Sequence, residues 1–310
     1  MQGNMSKIQV IVGPTASGKT GLGIRLAQKL ARDGLSAAII NMDSMQLYQE
    51  LPILTAQPSA AEKAQAAHLL YGMLPATDAC SAARYADMAA ATIYDLQRQG
   101  IVPILLGGTG LYLKVLLEGI ASIPAVEDEV REAARALQRR IGTPALHARL
   151  ATVDADTADR LEPGDSQRVV RAWEVYQQTG TPISHWQRQQ AQPVIAPDSW
   201  DGIVLMPERE ALYDKIDRRF IQMLDEGATE EVEAVLRMNL DPELPAMKAA
   251  GLPELADYIR GVATKEQAIA RGQQVSRHYA KRQGTWFHNQ LINRYPQAHM
   301  LEVFGNEADL

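Results

Sequence analysis

The 310-residue chain has one cysteine, three phenylalanines and no apolar run approaching the roughly eighteen residues of a membrane-spanning helix. A lone Cys80 excludes an internal disulfide and a cysteine metal cluster, and it suits a reducing compartment. The first residues lack the basic start, long apolar stretch and small-residue cleavage site of a secretory signal, so a cytoplasmic protein without a membrane partner is expected. There is no internal repeat and no low-complexity tract. Nor is there an excess of positive charge: 31 Lys and Arg against 37 Asp and Glu leave a formal net charge of −6. That total argues against a nucleic-acid partner, but its distribution is uneven. Arg271 to Arg294 holds five Lys or Arg and no acid, and Arg131 to Arg171 holds eight arginines.

With 46% apolar residues the chain can bury a large core. Its clearest local signal is Gly13-Pro14-Thr15-Ala16-Ser17-Gly18-Lys19-Thr20, which satisfies G-x-x-x-x-G-K-[ST] without a mismatch. The run Ile8 to Val12 ahead of it reads as a strand, and Gly18 to Ala31 behind it has helical apolar spacing. Two glycines let the backbone turn its N–H groups toward phosphate oxygens at a helix N-terminus. Lys19 is expected to reach the terminal phosphate. Thr20 is expected to offer its hydroxyl to a phosphate-bound Mg2+, the one cofactor anticipated.

The first half alternates strands and helices, as a parallel sheet with crossover helices requires. Ala37 to Met42, His68 to Tyr71 and Ile101 to Leu106 read as further strands, and Ala82 to Arg98 as a helix. From about Ser122 to Trp200 the pattern is helical, with Glu127 to Arg140 and Ser166 to Thr179 the best helices. A strand-like Ile203 to Met206 follows, which makes the helical stretch an insertion. The last third is mostly helix, interrupted near Asp241-Pro242 and Gly251-Leu252-Pro253, and Met300 to Val303 can return a strand to the sheet. The expected architecture is α/β: a P-loop NTPase-like parallel core with helices on both faces (1–121 and 200–310) and an all-helical insertion (122–199). Ligands of open parallel sheets gather beyond the carboxyl ends of the strands, so the loop at 13–20, Asp43 and Thr109 are expected to converge.

ATP-cleaving phosphate-loop proteins carry a second strand ending in an aspartate; here the strongest later strand runs into Gly107-Gly108-Thr109. The guanine-specificity pattern is also missing. Both absences count against a motor or a general NTPase. Asp43 is left as the carboxylate facing the loop, with magnesium support, general-base catalysis and helix capping all open to it.

In order along the chain, Gly13 to Thr20, Asp43 to Tyr48, Thr55-Ala56-Gln57-Pro58, Gly107 to Tyr112, Asp165 to Arg171 and Lys281 to Trp286 resemble the motif series of the bacterial tRNA dimethylallyltransferases, also called tRNA isopentenyltransferases. The resemblance implies transfer of the dimethylallyl group of dimethylallyl diphosphate to the exocyclic amine of the adenosine 3′ to the anticodon. The loop then holds a diphosphate, and no second aspartate is needed. Catalytic roles fall on Asp43 as general base and on Lys19, Thr109 and Arg219 as partners of the leaving diphosphate. Contacts to the tRNA anticodon stem-loop are implied for Asp43, Ser44, Met45, Gln46, Thr109 and Arg131; for Gln167, Arg168, Val169, Val170 and Arg171; and for Lys281, Arg282, Gln283, Gly284, Thr285, Trp286, Phe287 and His288. Arg277 and Lys281, at i and i+4, share a helix face. The insertion is expected to clamp the stem, and a monomer is expected. Two departures stand out: Gln57 where the family carries lysine, and Leu252 where it carries tyrosine. A small-molecule kinase and a prenyltransferase acting on free adenine nucleotide are the alternative readings.

Overall fold

A computed structural model describes residues 7–189 and 191–307. Six strands, β1 (Ile8–Val12), β2 (Ala37–Asn41), β3 (Ala67–Leu69), β4 (Val102–Gly107), β5 (Trp200–Leu205) and β6 (Ala298–Leu301), form one sheet in the order β3-β2-β4-β1-β5-β6. Every pairing is parallel. A parallel strand needs a crossover, and helices supply it: α1 (Lys19–Arg32), α2 (Ala60–Lys63), α3 (Ala82–Arg98) and α4 (Gly110–Glu118) in the first half. The helices α5 (Asp128–Ile141), α6 (Thr143–Ala151), α7 (Ala155–Ala158), α8 (Ser166–Thr179) and α9 (Ile183–Gln187) come next. After β5 follow α10 (Arg209–Asp225), α11 (Ala228–Arg237), α12 (Leu252–Ile259) and α13 (Lys265–Phe287).

Both faces of the sheet are covered, which is why its strands read as continuous apolar runs. Side chains alternate between two cores. Ile11, Ile39, Ile104 and Leu106 pack with Leu22 and Ile24 of α1. Val10, Val12, Ile40 and Leu105 pack with Tyr85 and Ile93 of α3, Leu113 of α4, and residues of α11, α12 and α13. No helix among the described residues is long and apolar enough to cross a membrane.

The chain divides into two compact units, residues 118–193 and the remainder. Val194 and Ile195 both donate their N–H to Leu116 O at 2.9 Å, which ties the chain's return to the point where it left. Unit 118–193 has its own cores, one around Leu150, Ala172 and Val175, another around Leu146, Val169 and Val170. Inside it the buried Asp154 accepts from Thr157 N (3.1 Å) and Ser184 N (3.1 Å), capping α7 and holding the start of α9.

The break expected near Gly251-Leu252-Pro253 falls just ahead of α12: Gly251 precedes the helix and Pro253 sits in its first turn, where the missing N–H costs nothing. Leu252, where the family carries tyrosine, is a core residue only 2% exposed. The fifth strand begins at Trp200 rather than Ile203, because β1 offers partners from Ile8 onward.

Candidate active site

Because all six strands run the same way, their carboxyl ends share one edge of the sheet. The loop after β1, Asp43 beyond β2 and Gly107-Gly108-Thr109 at the end of β4 are therefore brought together by topology. Glycine is required where they meet. A Cβ on Gly108 would collide with the Gln283 amide and lie 3.3 Å from Asp43 Oδ2. Gly18, just ahead of α1, has φ +86°, a left-handed conformation that side chains disfavour.

The phosphate loop is shaped to receive an anion. Ser17 Oγ is fully buried and has no hydrogen-bond partner, although it lines the cavity above the loop. Lys19 Nζ donates to the loop's own carbonyls, Gly13 O at 2.9 Å and Pro14 O at 2.8 Å. Arg219, from α10, donates through a guanidinium nitrogen to Thr15 Oγ1. Across the loop the C-terminal segment closes in, with Gly305 N donating to Ser17 O at 2.9 Å. The cavity has a volume of about 1340 Å3 and is lined by Ala16 to Thr20, Asp43, Gln57, Arg218 and Arg219, among others. A second hollow of about 260 Å3 shares Thr15, Asp43 and Arg219 with it. Its walls add the apolar Met45, Leu54, Ile216, Phe220 and Val275, and Met223 borders both.

Asp43 is held by its neighbours. Its N–H donates to Asn41 Oδ1 (2.8 Å), and its Oδ1 accepts from Met45 N (3.0 Å). Thr109 Oγ1 accepts from Ser44 N (3.0 Å) and lies 3.4 Å from Ser44 Oγ. Burial raises the Asp43 pKa above its ordinary value, opposed by the Met45 N–H and by the charges of Lys19 and Arg219. Burial likewise pulls Lys19 down to about 8, against the attraction of Asp43 and with the repulsion of Arg219. Arg219 is pulled down to about 10, again chiefly by burial. One carboxylate thus faces two cations whose charge the fold partly desolvates, an arrangement suited to a multiply charged anion beside a proton acceptor.

No group of three or more His, Cys, Asp or Glu able to hold a metal occurs among the described residues. Mg2+ needs none when it rides on phosphates, because it keeps several waters and takes one or two protein oxygens. Thr20, lining the cavity beside the unpartnered Ser17, fits that role.

The residues implied as RNA contacts fall into two classes. On α13, Lys281, Arg282 and Thr285 are exposed, as is His288 just past its end. With His278, Trp286 and Asn289, the first three line an outer hollow of about 530 Å3. Trp286 is half-buried, its indole filling the space that a Cβ on Gly110 would take. Gln283, Gly284 and Phe287 point inward and are buried, because the helical period puts them on the opposite face. Arg277 donates to both carboxylate oxygens of Asp217 at 2.6 Å, so its charge is already matched. In unit 118–193, Gln167 and Arg168 are exposed at the start of α8, whereas Val169 and Val170 are core residues and cannot meet RNA through their side chains. Arg171 pairs with Glu174 at 3.4 Å, and Arg131 with Asp128 at 2.5 Å. Gln46 lines the larger cavity, its amide donating to Thr55 O and Ala56 O at 2.9 and 2.8 Å.

Three features were not read from the sequence. Tyr279 lines the smaller hollow, where burial raises its hydroxyl pKa above the ordinary value. Glu231 braces the segment before Thr55, accepting from Ile53 N and Leu54 N, both at 2.8 Å. Gln57 donates to Tyr48 O at 2.7 Å, so its amide serves the backbone. Two glycines at a strand end mark a close approach, and at Gly107-Gly108 it is Met42 and Gln283 that come close.

A family model described as IPP transferase matches residues 46–290. The chain is 49% identical over 286 residues to a tRNA dimethylallyltransferase of Rhodospirillum centenum, covering 92% of this chain and 89% of that one. It is 50% identical over 282 residues to one of Rhodopseudomonas palustris, covering 91% and 86%. Among solved structures it resembles the tRNA isopentenylpyrophosphate transferase of Bacillus halodurans, with TM-score 0.68, 31% identity, and 98% and 92% of the two chains covered. It also resembles a eukaryotic dimethylallyltransferase acting on tRNA, with TM-score 0.78, 26% identity, and 96% and 74% covered. A sheet that gathers Lys19, Asp43 and Thr109 at one edge, and relatives of this identity along nearly all of its length, place the chain in the IPP transferase family.

Proposed function

We propose that this transferase moves the dimethylallyl group of dimethylallyl diphosphate to the exocyclic amine of the adenosine 3′-adjacent to the anticodon of tRNA, releasing diphosphate. The observation that carries the reading is the juxtaposition of the phosphate loop with Asp43 in one cavity, beside a hollow walled by Met45, Leu54, Phe220 and Met223. A charged head, an apolar tail and a proton acceptor are what such a donor and acceptor pair needs.

The roles follow from charge. The loop N–H groups, Ser17, Lys19 and Arg219 bind the diphosphate and stabilise the negative charge it gains as the carbon–oxygen bond breaks. Thr20 would hold Mg2+, which when bound adds further positive charge at the leaving group. Asp43 Oδ2 accepts the amine proton as the carbon–nitrogen bond forms. Thr109, whose hydroxyl meets Ser44 next to Asp43, and Tyr279, which lines the same hollow as Asp43, flank that acceptor. An adenine must leave its stack to reach this depth, and the basic outer face of α13 supplies phosphate contacts that hold the RNA meanwhile. Residues 118–193, with Gln167 and Arg168 exposed, add a clamp on the stem. The enzyme acts as a monomer in the cytoplasm.

The test uses purified protein, magnesium, labelled dimethylallyl diphosphate and an anticodon stem-loop, with parallel tubes holding AMP or ATP in place of the RNA. Label is expected in the RNA and is lost when the target adenosine is replaced. Label in AMP or ATP would move the enzyme to free nucleotide, and transfer to none of them would return the kinase reading.

Lys281 is exposed and has no ion-pair partner among the described residues. Lys281→Glu should weaken stem-loop binding about tenfold near physiological salt and reduce the slope of log affinity against log salt by about 1–2, since it removes one phosphate contact and adds a repulsive charge. Filter binding at several salt concentrations checks this, and wild-type affinity would leave Lys281 an ordinary surface lysine.

A further inference from the structure

The helix α13 has two polar faces with different audiences. Its outer face carries Lys281, Arg282 and Thr285 around an open hollow. Its inner face carries Gln283, 6% exposed, whose amide spans two active-site loops. Gln283 Oε1 accepts from Thr15 N in the phosphate loop at 2.8 Å, and Nε2 donates to Gly108 O at 2.9 Å, one residue before Thr109. Both ends of the amide are satisfied, and its orientation is dictated: only the oxygen can take the Thr15 N–H and only the nitrogen can serve the Gly108 carbonyl. The absence of a Cβ at Gly108 is what admits the amide.

We infer that Gln283 is a positioning residue that couples the two substrates: engagement of the outer face of α13 by RNA is transmitted through this amide to the phosphate loop, so that acceptor and diphosphate bind cooperatively. The inference rests on the reading of α13 as the acceptor face. Its physical basis is that a helix moves as a rigid rod, whereas a hydrogen bond weakens steeply once it stretches or bends beyond a few tenths of an ångström and a few tens of degrees. A small shift of α13 against the sheet must therefore carry Thr15 and Gly108 along or break the clip. Thr15 N belongs to the loop whose N–H groups cradle the diphosphate, so its placement changes the affinity of that loop. By linkage the effect is reciprocal, and couplings of this kind are typically about 5–150-fold.

The experiment is a four-corner titration. The affinity for inorganic pyrophosphate with magnesium is measured by calorimetry with and without a saturating anticodon stem-loop, in the wild type and in Gln283→Leu. RNA affinity is read in the same samples. In the wild type the stem-loop is expected to tighten pyrophosphate binding at least fivefold. In Gln283→Leu, close in volume but unable to make either bond, the factor should fall to within twofold of unity while the stem-loop still binds. Gln283→Glu keeps an acceptor for Thr15 N and sets a carboxylate against Gly108 O, so an intermediate factor is expected; it also serves if the leucine variant does not fold. A wild type without coupling, or a coupling factor unchanged in the variants, would overturn the inference. Failure of the stem-loop to bind the wild type at all would instead sink the acceptor reading on which it stands.

Discussion

Asp43→Asn is expected to lower turnover by about 10²–10⁴-fold, the usual contribution of a positioned general base, while the protein stays folded and binds the stem-loop normally. Asparagine keeps the acceptor that Met45 N uses at 3.0 Å, so the local turn survives. What it loses is the ability to take a proton from the amine. The stability effect should run the other way. The folded-state pKa of Asp43 lies above its ordinary value of 3.8, so the native state binds the proton more tightly than the unfolded chain does. Above that ordinary value, the carboxylate opposes folding increasingly as pH rises through the folded pKa. Replacing it with a neutral amide removes that opposition, and the variant should melt at or above the wild-type temperature at pH 7. Calorimetry and single-turnover transfer to the stem-loop check both halves. Turnover within threefold of wild type would take Asp43 out of the chemistry.

Lys19→Met should reduce kcat/KM for the prenyl donor by about 10²–10³-fold, in line with loss of one preorganised partner of a developing anion. The distinctive part of this prediction is its pH dependence. With its pKa near 8 in the free protein, against 10.5 ordinarily, Lys19 is largely protonated at pH 7 and loses its charge just above neutrality. The kcat/KM of the wild type, which reports the free enzyme, should therefore fall about tenfold per pH unit above about 8, and Lys19→Met should lack that limb. Stability moves oppositely. Between about 8 and 10.5 the unfolded chain binds the proton that native Lys19 has shed, so Lys19 contributes a rising stability across that window, and its cost is fully present below it. The difference in unfolding free energy between wild type and Lys19→Met isolates this slope from the tyrosines that titrate higher. A donor kcat/KM that stays flat to pH 9.5 would show that Lys19 keeps its ordinary pKa.

Much of this site was legible before any fold was in hand, and the reasons differ by residue. Gly13 to Thr20 is local: its conformation needs those glycines in that order, so the motif and its phosphate chemistry are written side by side. Asp43 and Thr109 were legible because each follows a strand in a parallel sheet, and parallel strands end on one edge. The faces of α13 were legible only in part. Apolar periodicity reveals which face of a helix is buried, but Tyr279, Gln283 and Arg277 are polar residues that turn inward, so polarity gave no warning of their direction. The reverse happened at Val169 and Val170, where a motif read as RNA-contacting includes two residues packed in the core of α5, α6 and α8.

By itself the sequence determined the phosphate loop, the α/β alternation and the basic stretches, because each depends on residues within a turn or two of one another. The tertiary structure decided what those pieces face. It satisfied Arg277 with Asp217, set Gln57 and Gln46 to serve the backbone, and made Gln283 a bridge between Thr15 and Gly108, 268 and 175 residues away in the chain. The physical reason is that a buried polar group must find a partner, and which partner lies within 3 Å is settled by how helices pack on the sheet, a property that no local stretch of sequence carries.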